Sequence, residues 1–314
     1  VFASPFAYSP RLLLFSAALL AVTVAGGSAH AGNQKICQQQ EQHYEQIKRS
    51  ASTIEVNDAL FSAAKKGCAA LARRLLDDGA SLKARDRLGF SPLGRAAQAG
   101  ENEIVALFID RGAPVNARSL DGSTALYEAA ETGRLPTVQL LVERGADISL
   151  PGRSGITPLA AGAYMGSPPI VTLLLEKGAD PNVQDDTKKA AIIYAAGRGF
   201  TDIVSLLLDR GVDVNARYGN DLTVLMWAAG YSAEAGVSDM TKVLNLLLER
   251  GARIDDKDNR GRTALMIAAE LDHEAAVDLL LAHGADPTLR DRQGKSASNL
   301  TSLTALREKI AAKH

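Results

Sequence analysis

The groups with which this chain could do chemistry are few in kind: two cysteines, five histidines and 36 carboxylates. The histidines are His30, His43, His273, His283 and His314. None stands with a cysteine at metal-ligand spacing, so no metal site is expected. His273 and His283 flank one helical stretch, and surface positions are expected for both. The chain has no Gly-Lys-Ser/Thr loop to cradle phosphate and no Gly-x-Ser-x-Gly elbow to present a nucleophile. The carboxylates recur at matching places: Glu143, Glu176, Asp209 and Glu249 each stand two residues before a glycine. Acid/base catalysis needs carboxylates in unlike environments, whereas a repeated position describes a solvated helix face. These residues predict no enzyme, no cofactor and no small-molecule substrate.

Cys37 and Cys68 carry more information. An even cysteine count favours a disulfide in an oxidising compartment, and the N-terminus points to such a compartment. Arg11 precedes an apolar run from Leu12 to about Ala25, and Ser28-Ala29-His30-Ala31 follows. One basic residue, an apolar stretch of this length and a small-x-small end make a secretory signal peptide. Cleavage is expected after Ala31, leaving Gly32 first. The run is short for a membrane span of about 20 residues, which weighs against an uncleaved anchor. The expected location is periplasmic or secreted, with no membrane attachment after cleavage. A Cys37–Cys68 bond would close a loop of about 30 residues and add roughly 3 kcal/mol.

The elements that must position these groups repeat. Gly-Ala or Gly-Val begins at Gly79, Gly112, Gly145, Gly178, Gly211, Gly251 and Gly284. The intervals are 33 residues except the one from Gly211 to Gly251, which is 40. A fixed period of this size means stacked copies of one supersecondary unit. Charge is balanced, 35 Lys+Arg against 36 Asp+Glu, so no global basic field points to nucleic acid.

Aligned units read DGSTALYEAAETGRLPTVQLLVERGADIS from Asp121, SGITPLAAGAYMGSPPIVTLLLEKGADPN from Ser154 and RGRTALMIAAELDHEAAVDLLLAHGADPT from Arg260. Each holds a Gly-x-Thr-Pro/Ala-Leu start, a small Ala pair, a Leu-rich stretch and Gly-Ala-Asp. The pattern resembles the ankyrin repeat over about four fifths of the chain. The resemblance implies an all-α solenoid of about seven to eight helix-turn-helix units with short β-hairpin connections, capped at both ends. The expected layout is a signal peptide over 1–31, an N-terminal helix within 32–56 and an array over 57–314. That array comprises an N-terminal capping repeat at 57–86, six repeats over 87–291 and a C-terminal cap at 292–314.

The residue types agree with that layout. Thr124, Thr157, Thr223 and Thr263 stand where helix N-caps are needed, and Pro92 and Pro158 follow at first helical positions, where a missing donor costs nothing. Ala pairs such as Ala96-Ala97 and Ala228-Ala229 let helices approach. Leu206-Leu207-Leu208 forms a buried ridge, and Gly79 and its equivalents end the second helices in a left-handed conformation. In the N-terminal helix, Ile36, Cys37, Gln40, Tyr44 and Ile47 share one side, expected to pack on the first repeat. Three departures stand out. The histidine usual after Thr-Pro-Leu is replaced by Gly94, Tyr127, Ala160, Ile193, Met226 and Met266, which should leave helix ends less well tied. Lys188 stands where a repeat-start glycine belongs, so its hairpin should be distorted. The 40-residue interval holds an insertion at about Ser232 to Ser238, between the two helices of its unit.

Solenoids of this kind bind partners more often than they catalyse. The resemblance implies a concave groove lined by hairpin tips and first helices, including Leu88 and Leu120. The partner-binding candidates are Arg87, Phe90, Gln98, Arg153, Ile156, Tyr164, Met165, Lys189, Arg198, Leu222, Tyr231, Arg260 and Arg262. Exposed aromatics, Met and Arg are the types that make binding hot spots. The leading expectation is an exported bacterial protein that binds another protein, and no nucleic acid, through this groove. Two alternatives are a secreted effector that binds a host protein and a membrane-anchored scaffold that keeps its N-terminal helix.

Overall fold

A computed structural model describes residues 26–230 and 236–313. The apolar run expected to be a signal peptide lies outside them through residue 25. The expected cut after Ala31 falls inside α1, Gly26–Ile47. Among the described residues no helix is long and apolar enough to cross a membrane.

The chain divides into two compact units, one reaching Pro158 and the other running from Leu159 onward. In the first unit, α1 is followed by α2 (Thr53–Lys66), α3 (Ala69–Asp77), α4 (Pro92–Ala99), α5 (Asn102–Asp110), α6 (Ala125–Glu131) and α7 (Leu135–Glu143). The first helices of successive pairs, α2, α4 and α6, stack in one row, and the second helices α3, α5 and α7 stack in another. The second unit holds α8 (Pro158–Met165), α9 (Pro168–Glu176), α10 (Ala191–Ala196), α11 (Thr201–Asp209), α12 (Val224–Ala229), α13 (Val237–Glu249), α14 (Ala264–Glu270), α15 (Glu274–Ala282), α16 (Ala297–Leu300) and α17 (Thr304–Ala311). There α10, α12, α14 and α16 form one row, and α9, α11, α13, α15 and α17 the other.

Local chemistry accounts for these helices. Ser91, Thr124, Thr223 and Thr263 accept from the N–H three residues on, satisfying an orphan donor at each start. The Ala pairs are fully buried between the rows, and Leu207 is fully buried where its neighbours are partly covered. Gly79 and Gly211 have φ of 97° and 87°. A Cβ at either would meet nothing within 4 Å, so the glycine is there for its backbone conformation and not for space.

The connections form no strand among the described residues; one isolated bridge joins Tyr218 and Leu222. They are tight turns closed by two hydrogen bonds. The Asp86 N–H donates to the Phe90 carbonyl at 3.0 Å and the Gly89 N–H to the Asp86 carbonyl at 2.8 Å, and the same pair recurs from Asp185, Asp258 and Asp291. Neighbouring turns in the second unit share single backbone bonds, such as Asn259 N–H to the Asn220 carbonyl at 3.1 Å, which is too little for a ladder.

Lys188 does not distort its turn. It takes φ 63° and donates its N–H to the Asp185 carbonyl at 2.9 Å, as Gly89 and Gly261 do in theirs. The turn geometry is kept and the lysine carries the strain. The long interval is partly helical: α13 starts at Val237 and has 13 residues, against nine in the other second helices of this unit that lie between turns.

At the N-terminal end α1 lies on α2 and α3. Cys37 is bonded to Cys68, with Cα atoms 5.2 Å apart. Gln40 donates to Ser62 at 2.8 Å, and Tyr44, 2% exposed, donates to Asp78 at 3.0 Å. Burial, then the Asp78 carboxylate, push the Tyr44 phenol up to about 12. Ser52 caps α2 with a reciprocal Glu55 bond, so residues 53–56 belong to the first helix pair and not to the N-terminal helix.

Candidate functional site

In the first unit, the turn and first-helix side is tied by a ladder of polar groups. Arg95 Nε donates to Asp86 Oδ2 at 2.7 Å, Arg95 Nη1 to Gln98 Oε1 at 2.9 Å, and Gln98 Nε2 to Glu128 Oε2 at 2.8 Å. The Arg95 guanidinium lies 3.8 Å from the centre of the Phe90 ring. Burial raises the Asp86 carboxyl, but Arg95 and the turn N–H groups outweigh it and hold the group below its ordinary range. Glu128 behaves oppositely. It is 2% exposed, and burial with the nearby Glu131 charge pushes it up to about 7 despite Arg153. Tyr127 donates to Glu131 at 3.0 Å, and Arg153 pairs with the same carboxylate.

The candidate residues of this unit therefore divide. Arg87 is exposed at the tip of its turn. Gln98, Arg153 and Ile156 are half-buried, the first two spent on the ladder. Phe90 is buried, contrary to expectation. It stands just before the N-cap Ser91, and such a residue folds back on the helix it precedes, so only the two central turn residues face outward. On the turns the exposed apolar side chains are Leu88 and Leu120, at 65% and 84%; Ile54, on α2, is exposed as well. Leu120 leans over the preceding turn: a Cβ at Gly89 would meet its Cγ at 2.2 Å.

In the second unit Asp185 repeats the role of Asp86. Its Oδ1 accepts the Thr187 and Lys189 N–H groups, and Tyr194 donates its hydroxyl to Oδ2. Lys189 is half-buried, with Nζ 5.8 Å from the Tyr194 ring centre and 5.1 Å from that of Trp227. Burial lowers the Lys189 ammonium, partly opposed by Asp185. Tyr164 meets Tyr194 edge-on at 5.9 Å, and Arg198 lies 4.5 Å from the Tyr164 ring centre and 5.6 Å from that of Phe200. Thus Tyr164, Lys189 and Arg198 form one aromatic and cationic cluster. Met165 beside it is 48% exposed.

Leu222 and Arg262, expected on the groove, are buried at 0% and 2%. Both precede an N-cap threonine, as Phe90 precedes Ser91. Arg262 pairs with Asp258 at 2.8 Å and with Glu270, while exposed Arg260 reaches Glu270 at 4.0 Å. Tyr231 lies outside the described residues. His273 is half-buried, its Nδ1 bonded with the Ala229 carbonyl at 3.0 Å; His283 is exposed.

The missing histidines do not leave the helix ends loose. Arg95, Tyr194 and Arg262 each bind the turn aspartate from the following helix or its entry. Sequence reasoning passed over Asp86, Asp185, Asp258 and Asp291. Their signal was their shared register, one turn-opening position in four repeats.

The family model of ankyrin repeats (3 copies) matches residues 29–119, 60–152, 96–185, 159–258 and 230–291. Among solved structures, the crystal structure of the human ASB11 ankyrin repeat domain is similar, with 28% identity and a TM-score of 0.63. It covers 72% of this chain and 98% of that one. No curated protein sequence matches.

Proposed function

The chain belongs to the ankyrin-repeat family, and we propose on that premise that it is a non-enzymatic module that holds a partner protein in the bacterial periplasm. Ankyrin repeats generally mediate protein–protein interaction. The observation that carries a binding role is the exposure of Leu88 and Leu120 on neighbouring turns. The packed rows do not use these side chains, and an apolar pair beside exposed Arg87 fits a partner surface with an apolar anchor and a carboxylate. The Tyr164–Arg198 cluster with Met165 offers a second set of contacts in its own unit. Export is supported by the apolar run followed by Ser28-Ala29-His30-Ala31 and by the Cys37–Cys68 bond, which suits an oxidising compartment.

Crosslinking from a photoreactive residue at position 87, exposed beside Leu88 and unchanged in the variant below, in the envelope fraction of the native host, tests this reading. One dominant adduct is expected, lost in the Leu88→Asp/Leu120→Asp variant while the melting temperature holds. An adduct pattern unchanged by that variant, or none above background, overturns it. The intact mass of the exported chain tests the location: a start at Gly32 is expected, and retention of residues 1–31 overturns cleavage.

A further inference from the structure

A cleft of about 470 Å³ in the second unit is walled by Arg217, Lys257, Arg290 and Arg292. Three of these cations share one place in the repeat. Arg217, Lys257 and Arg290 each stand one residue before the residue that opens a turn. Each is held by a neutral acceptor: Arg217 Nη1 donates to the Lys257 carbonyl at 2.7 Å, Lys257 Nζ to the Arg290 carbonyl at 3.1 Å, and Arg290 Nη1 to the Gly294 carbonyl at 2.8 Å. A carbonyl fixes the position of a cationic head without cancelling its charge.

Two of the three carboxylates in the wall are committed elsewhere. Asp258 is buried against Arg262. Asp291 Oδ1 accepts the Gln293 and Lys295 N–H groups of its own turn. Asp221 is exposed. Of the four cations, only Arg217 has a carboxylate partner among the described residues, Asp256 at 3.2 Å. The Arg292 guanidinium has no hydrogen-bond, ion-pair or ring partner among them. Elsewhere the same fold neutralises its cations from repeat to repeat: Arg111 meets Asp77, Arg144 meets Asp110 and Arg250 meets Asp209. Arg85 and Arg118 hold the same register in the first unit and donate to the Arg118 and Pro151 carbonyls at 3.3 and 2.9 Å; the cleft differs in adding Arg292 to three such cations around one cavity.

We propose that this cleft binds a small multivalent oxyanion of the phosphate type. Guanidinium forks and an ammonium converge on it from three successive turns. A tetrahedral phosphate accepts from several directions at once, whereas a carboxylate offers two oxygens in one plane. A volume of a few hundred Å³ suits a short phosphate chain. Gly261, with φ 79°, lets the Arg292 backbone close to 2.9 Å of where a Cβ would stand, which keeps the last two turns in contact. The site does not depend on the partner surface proposed above.

Titration calorimetry of the full chain with inorganic triphosphate tests the assignment. One saturable site is expected, weakened by raising salt. Arg292→Gln should weaken it about fivefold or more without changing the melting temperature of the free protein, because that guanidinium holds nothing else. Lys257→Gln should weaken it similarly, and Arg111→Gln, just past α5, should leave it unchanged. No heat at millimolar triphosphate, or binding untouched by both cleft variants, overturns the proposal. So does a glutamate-rich peptide that binds at these residues while triphosphate fails to displace it, since the cleft would then be a docking strip for an acidic chain.

Discussion

Arg95 donates to Asp86 at 2.7 Å while its guanidinium lies 3.8 Å from the centre of the Phe90 ring. One side chain thus ties the turn at 86–90 to α4, and both charged groups are largely buried. Removing one partner of a buried pair leaves the other uncompensated. Arg95→Ala should therefore cost about 3 kcal/mol. Phe90→Ala, at a buried position, should cost about 3 kcal/mol or more. Denaturant melts of the two variants check both. A change near zero at Phe90 would return that residue to the surface set.

The turn at Lys188 predicts a gain. A side chain at φ 63° costs energy that glycine does not incur. Glycine also loses more entropy on folding, which offsets part of the benefit. Lys188→Gly should raise stability by up to about 1 kcal/mol. Gly89→Lys in the equivalent turn should lower it by more, because a Cβ there also meets Leu120. Melting temperatures of the pair give the signs directly.

These two sites show what the sequence made legible. Thr124 and Gly79 were readable because a cap and a left-handed stop act within three or four residues and recur every 33. The inward turn of Phe90, Leu222 and Arg262 was not. The register placed them in the exposed connection, but a residue just before an N-cap packs on its own helix. The Asp86–Arg95, Asp185–Tyr194 and Asp258–Arg262 contacts were equally hidden. Each replaces an expected histidine by a different side chain, Arg95 and Tyr194 from one repeat position and Arg262 from another, so no fixed motif announces it. The Cys37–Cys68 pair was readable because two cysteines permit only one intramolecular bond.

That bond makes its own prediction. It closes a separation of 31 residues and fastens a polar helix whose other ties are Gln40–Ser62, Tyr44–Asp78 and exposed ion pairs. Exposed pairs contribute little. Reduction should lower stability by about 3 kcal/mol in the loop-entropy account. Amide exchange should speed up along α1 before it does along α4 or α6. Uniform acceleration over all three helices would show that the bond stabilises the whole unit and not the docking of α1.

The last prediction concerns pH and rests on Glu128. Its folded value of about 7 lies above the ordinary 4.5 because it is buried, with Glu131 and Asp121 adding repulsion that Arg153 only partly offsets. Between those two values the folded chain holds a proton at this site that the unfolded chain has lost. Stability must therefore fall as pH rises from about 4.5 to about 7 and stay low above it, by about 3 kcal/mol for a shift of this size. Asp86 and Asp121 are shifted downward, so the stability they give is lost only in more acid solution, below the ordinary aspartate range. A melting series from pH 5 to pH 8 thus isolates Glu128. The wild-type curve should decline with rising pH. Glu128→Gln keeps an acceptor for the Gln98 amide and removes the charge, so its curve should be flatter and lie above the wild type at pH 8. Parallel declines in both proteins would place the titrating group elsewhere.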